Sequence, residues 1–271
     1  MMPSWYLEKP LGEYVSIYEV ITGEKIKGME SGAITSFLCY LIEEKMIDGV
    51  VAAKKIRGLE GEIVIARTFE EVINTAGSKW QVLPFTLKLK ETIERENLNK
   101  IAIVGLPCQI NFLRQMKTFP LLETDFSGRI NFLIGLFCFG TFAQESILSY
   151  IKEKYGIEPS TIKEVKISHS ALKFSGKKDV ELPFDEIMSY IQVGCLLCPD
   201  YTGVASDVSA GTIGEKTILI VRNKKIDELL QKAENNGYVE IENANRETIE
   251  TIEKRAIEKI NRASKYIAQL L

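Results

Sequence analysis

Apolar residues recur along this chain in two rhythms. Short continuous runs bounded by turns predict buried strands, and residues three and four apart predict helices. Lys100-Ile101-Ala102-Ile103-Val104-Gly105 is one such run, Arg129 to Phe137 a second and Thr217 to Arg222 a third. Residues 13–20 alternate and carry β-branched and aromatic side chains, which predicts a strand; Asp48 to Ala53 and Glu62 to Arg67 read the same way. Residues 162–183 predict strands joined by Lys- and Gly-rich turns.

Between these runs the period lengthens. Helices are predicted over Ala33 to Lys45 with a Ser31 cap, from Thr68 to a stop at Gly77, and over Thr86 to Leu98. Others pass through Ile110, Leu113 and Met116, and span Gln144 to Tyr155, Asp185 to Ile191 and Ile226 to Asn235. From Arg246 to Leu271 an apolar stripe of Ile249, Ile252, Ala256, Ile260, Ala263 and Ile267 predicts a long amphipathic helix, capped by Asn243 or Asn245. Strands alternating with helices define an α/β class: a mixed sheet flanked by helices, with a cysteine-bearing loop and a long C-terminal amphipathic helix. The chain divides into an N-terminal part, 1–84, a core, 85–245, and the C-terminal helix, 246–271.

Composition narrows the function. The 271 residues are 45% hydrophobic with a net charge of −3, so the chain lacks the basic face that broad nucleic-acid binding needs. No apolar run is long enough to span a bilayer, and the N-terminus has neither a basic nor an apolar export region, so a cytoplasmic protein is expected. The single histidine, His169, excludes His-rich metal sites and HExxH hydrolysis, and reads as an ordinary loop residue.

Chemistry concentrates in four of the five cysteines. Cys195 and Cys198 form a CxxC pair in a turn-like segment, and Cys108 and Cys138 each follow an apolar strand directly. Ligands of open α/β sheets bind beyond the carboxyl ends of strands, so neighbouring strands would put both single thiols on one rim. A CxxC loop folded over that rim would complete a set of four. In a reducing cytosol such thiols point to metal rather than disulfides, and five is an odd number. One pair and two scattered singles leave both an iron–sulfur cluster and a zinc ion open. Cys39, inside Phe37-Leu38-Cys39-Tyr40-Leu41, reads as a core residue.

No GxGxxG and no Walker loop is present, yet three segments are suited to an anionic cofactor. Ser31-Gly32-Ala33-Ile34-Thr35 is a helix start with free amides. Ala76-Gly77-Ser78-Lys79-Trp80 joins a flexible backbone to a hydroxyl and a cation. Ser206 to Gly214 is rich in small and hydroxyl residues and reads as a loop.

In this order the elements Ser-Gly-x-x-Thr, Ala-Gly-Ser-Lys-Trp, Gly-Leu-Pro-Cys-Gln, Gly-x-x-Cys, Gly-Cys-x-x-Cys-x-Asp-Tyr and Ser-Asp-Val-Ser-x-Gly resemble the beta-subunit family of coenzyme F420-reducing hydrogenase and F420-linked formate dehydrogenase. The likeness runs from about Ser31 to Gly214. It implies an oxidoreductase subunit that carries FAD and a 4Fe-4S cluster, exchanges hydride with coenzyme F420 and passes single electrons to or from partner subunits of a larger complex. By position it makes Cys108, Cys138, Cys195 and Cys198 the cluster ligands. Ser31, Gly32, Thr35, Gly77, Ser78, Lys79 and Gln109 become flavin contacts, with Asp207, Ser209 and Gly211. Lys79 would stabilise negative charge on the reduced flavin or its phosphates. Ser31 stands where the family has a second glycine. The extra ferredoxin-like cysteine runs of some relatives are absent, which implies one cluster only. Both the N-terminal part and the core would then contribute to the flavin site.

Two other readings stay open from sequence. One is a related flavin and iron–sulfur reductase acting on another organic substrate or on ferredoxin. The other is a zinc-stabilised adaptor that docks through its C-terminal helix.

Overall fold

The computed structural model describes residues 8–29, 32–57, 60–77, 83–84, 89–119, 122–167, 171–213 and 216–270. Ser31, Ser78, Lys79 and His169 lie outside them. The first strand, β1 (Ser16–Thr22), leads to helix α1 (Ala33–Glu43), whose stretch Phe37 to Leu41 is buried throughout. A hairpin follows, β2 (Gly49–Arg57) and β3 (Glu60–Ala66), then α2 (Phe69–Ile73) and α3 (Leu89–Arg95). Thr68 starts α2 with a capping box: its Oγ1 accepts the Glu71 N–H at 3.2 Å and its own N–H donates to Glu71 Oε2 at 3.3 Å.

The apolar runs become β4 (Ile101–Gly105), followed by α4 (Pro107–Thr118), and β5 (Ile130–Leu136), followed by α5 (Gln144–Tyr155). Next come β6 (Ile162–Ile167), β7 (Ala171–Gly176) and β8 (Val180–Pro183), with the short helices α6 (Phe184–Ile187) and α7 (Val193–Leu196). The chain ends with β9 (Val208–Ile213), β10 (Lys216–Val221), α8 (Lys224–Asn235), β11 (Val239–Asn243) and α9 (Arg246–Leu270). Of the two asparagines expected to cap α9, Asn245 does so, accepting the Thr248 N–H at 2.9 Å, while Asn243 ends β11.

Eight strands form one sheet in the order β11-β1-β10-β9-β5-β4-β2-β3, and β6-β7-β8 form a second. β2, β4, β5 and β9 run parallel to one another. β1 is antiparallel to β10, which is antiparallel to β9, so β1 points the same way. The carboxyl ends of five strands therefore share one rim. Helices α1, α2 and α8 cover one face of the sheet. On the other face α3 and α4 pack over β2, β4 and β5, and the Ile252 and Ala256 side of α9 packs over β1 and β10.

The structure departs from the sequence reading in four places. The first helix, expected to be capped by Ser31, has Gly32 as its N-cap with no side chain capping it. The small-residue stretch Ser206 to Gly214, expected as a loop, contains central strand β9. Its small residues answer to crowding: a Cβ at Gly211 would lie 2.0 Å from the Phe137 ring, and Ser209 is fully buried. The helix expected over Asp185 to Ile191 is a single turn, α6, continued by a 3-10 turn over Met188–Tyr190. Edge strand β11 carries one buried residue among five, too weak an alternation to register as a strand.

Candidate functional site

Two cysteines reach the rim on adjacent strands. β4 and β5 are parallel neighbours with Gly105 opposite Gly135, so the chain leaves both strands at the same level. Pro107 begins α4, where its missing N–H costs nothing, and sets Cys108 in the first turn, exposed to solvent. Cys138 lies two residues beyond β5, partly buried, and its N–H donates to the Tyr201 carbonyl at 2.9 Å.

The CxxC pair returns to this rim because a long excursion closes at its base. The chain leaves after Cys138, builds α5 and the small sheet, and comes back at Ile191. There Phe142 and Ile191 form a bridge, the Ala143 N–H donates to Tyr190 at 2.9 Å and the Gln192 N–H to Thr141 at 2.9 Å. Gly140 has φ +157°, and a Cβ there would meet Ile191 Cδ1 at 2.6 Å, so only glycine allows this crossing. Cys195 then stands in α7 with its Sγ 3.2 Å from Thr141 Oγ1. Beyond Cys198, buried Asp200 fixes the turn by accepting the Gly203 N–H at 2.7 Å and the Val204 N–H at 3.1 Å. Arg222 backs this turn, donating to Thr202 Oγ1 at 3.2 Å and Ser209 Oγ at 3.3 Å.

The four thiols lie within electrostatic reach of one another. Burial pushes the Cys138 thiol up to about 11, against the pull of Lys259 and reinforced by Cys195, Cys108 and Cys198. Burial of its sulfur also raises Cys108, chiefly with Cys198 and Cys195, although the residue as a whole is exposed. All five cysteines are free thiols. Among the described residues no group of three or more His, Cys, Asp or Glu is drawn tightly enough to hold a metal ion. The expected core residue Cys39 is fully buried in α1, its thiol pushed up to about 12 by burial.

Two cations of α9 lie against this cysteine group, and sequence reading missed both. Lys259 is 1% exposed and donates to the carbonyls of Cys138 at 2.6 Å and Asp200 at 2.7 Å. Desolvating an ammonium costs several kcal/mol, and two hydrogen bonds from a charged donor return about 1.5–3 kcal/mol each. Arg262 donates to the carbonyls of Phe139 at 2.5 Å and Cys195 at 3.2 Å, and its guanidinium stacks 4.3 Å from the centre of the Phe139 ring. The available signal was positional: Lys259 is seven residues after Ile252 and four before Ala263, so it interrupts the apolar stripe.

The residues expected at a flavin divide into two groups. Gly32 is the N-cap of α1, with no side chain capping the helix, and a Cβ added there would meet open space. Because β1 points to the shared rim, the start of α1 lies on that side of the sheet. Thr35 is buried one turn further on. Gly77 has φ +84°, a left-handed backbone suited to glycine. The remainder make internal contacts. Gln109 accepts the Leu106 N–H and donates to Leu83, both at 2.9 Å, pinning that segment to the start of α4. Asp207 pairs with Arg114 at 2.7 Å and accepts the Leu133 N–H at 2.7 Å, while Ser209 and Gly211 pack inside the sheet.

The fold is a mixed sheet that brings three cysteine segments to one rim. Residues 21–90 match the family described as coenzyme F420 hydrogenase/dehydrogenase, beta subunit N-term, and residues 98–247 match the C terminus of the same beta subunit; the chain belongs to this family. The coenzyme F420 hydrogenase subunit beta of Methanothermobacter thermautotrophicus is 29% identical, over 88% of either chain. A coenzyme F420-dependent sulfite reductase of Methanocaldococcus jannaschii is 31% identical over 80% of this chain and 36% of its own length. A solved structure of the F420-reducing [NiFe] hydrogenase complex from Methanosarcina barkeri contains a chain that superposes with a TM-score of 0.87 at 25% identity, covering 96% of this chain and 93% of that one.

Proposed function

We propose that this chain is the coenzyme F420-facing electron-transfer subunit of a larger oxidoreductase complex, holding FAD and one 4Fe-4S cluster. The observation that carries the reading is the convergence of three separate cysteine segments on the carboxyl rim of β4 and β5. Four thiols from three segments in mutual electrostatic reach would serve as the ligands of an iron–sulfur cluster. Bound FAD would supply acceptance of a hydride and release of its electrons one at a time, with the cluster carrying them singly.

The chain's own residues divide that work. Cys108, Cys138, Cys195 and Cys198 would ligate the cluster, with exposed Cys108 on its solvent side. The open start of α1 at Gly32, with Ser31 and Thr35, would take a flavin phosphate on unpaired backbone amides. Gly77, Ser78 and Lys79 would add a hydroxyl and a cation. Gln109, Asp207, Ser209 and Gly211 would shape the flavin site by holding the rim in place. The hydrogenase beta subunit and the sulfite reductase share this unit with different terminal chemistry, which supports a common F420-facing role.

Hydride exchange tests this function. Flavin-replete protein mixed anaerobically with reduced F420 should bleach its flavin absorption and regenerate oxidised F420. Bleaching by NAD(P)H or ferredoxin, with no response to F420, would overturn it.

A further inference from the structure

We propose that Lys259 and Arg262 form a two-cation clamp that fastens the Cys138 and Cys195–Asp200 segments together and raises the reduction potential of whatever cluster those thiols hold. The inference rests on the cluster reading above. Each side chain bonds one carbonyl beside or at Cys138 and one carbonyl in the CxxC segment: Lys259 joins Cys138 to Asp200, and Arg262 joins Phe139 to Cys195. One helix thus staples two of the three cysteine segments with residues three apart, on the same side of α9.

The charge balance gives the clamp a second task. Among the described residues neither cation has a carboxylate oxygen within 4.0 Å of its nitrogens. Nε and Nη1 of Arg262 are buried without a hydrogen-bond partner, and the guanidinium interacts electrostatically with Cys195, Cys138 and Cys198. The buried anion nearby is Asp200, which faces both Lys259 and Arg222, so positive charge is in excess here. Four thiolates around an oxidised cubane make a dianion, and one added electron makes a trianion. Buried cations stabilise the more negative state more, and thereby favour reduction.

The test uses the whole chain, purified anaerobically, as wild type, Lys259→Gln, Arg262→Gln and Arg262→Lys. Iron, sulfide and the mediated dithionite titration of the cluster's EPR signal are measured for each. Expected is wild-type iron and sulfide in all four. At a fixed potential each Gln variant should show a reduced-to-oxidised ratio about tenfold lower, which is about 59 mV for one electron. Arg262→Lys should return most of the difference. Loss of the cluster in Arg262→Gln, with retention in Arg262→Lys, would support the fastening role of the clamp, since Lys keeps the charged donor that Gln gives up. Loaded Gln variants with unchanged potential, or equal cluster loss in Arg262→Lys and Arg262→Gln, would overturn it. A wild type without iron and sulfide would instead remove the cluster reading on which the clamp depends.

Discussion

The backbone N–H of Cys138 donates to the carbonyl of Tyr201 at 2.9 Å. That bond joins a residue just past β5 to the far side of the CxxC turn, across an excursion that includes a whole second sheet. The same turn is held from within by Asp200 and from behind by Lys259. The cysteine rim is therefore tied into the folded framework by hydrogen bonds between its segments.

Removal of a proposed ligand should follow from this. Cys198→Ser is expected to lose iron and the cluster's share of the visible absorption while keeping its far-ultraviolet circular dichroism, because the turn's backbone bonds remain. Cys39→Ala should do the reverse: full iron content, with about 1 kcal/mol less stability from one deleted buried sulfur in α1. Iron analysis beside a thermal melt separates the two.

Asp207 offers a second test. Its carboxylate accepts from Arg114, Leu133 and Asn223, tying α4, β5 and the start of α8 to β9. Asp207→Ala strands a partly buried guanidinium and a strand N–H, and should cost about 2–3 kcal/mol in a denaturant titration. Unchanged stability with lost flavin would instead make Asp207 a direct cofactor contact.

The small sheet should respond to acid. Glu186 accepts hydrogen bonds from Tyr150 and Tyr155 at 2.6 Å each and pairs with Lys154, which holds its carboxyl down at about 2, against an ordinary 4.5. A depressed carboxylate contributes stability that is present above pH 4.5 and fades as pH falls toward 2. Melting temperature measured between these limits should fall less steeply in Glu186→Gln than in the wild type.

Much of this was legible in the sequence because it rests on local pattern. The runs at 100–105 and 129–137 became the adjacent strands that carry Cys108 and Cys138, and the Arg246 stripe became α9. Other features lie in long-range contact, which periodicity does not encode. Ser209 and Gly211 look like loop residues until Phe137 and Arg222 are seen pressed against them. Lys259 looks like one more charge on a charged helix until its helix docks on the Cys138 carbonyl. The order of motifs pointed to the family directly, since residues 21–90 and 98–247 match its two halves.

The most direct measurement is the iron, acid-labile sulfide, zinc and flavin content of the chain purified without oxygen. A brown protein with equal iron and sulfide, bound flavin and no stoichiometric zinc is expected. A colourless protein holding one zinc ion per chain would contradict the cluster reading.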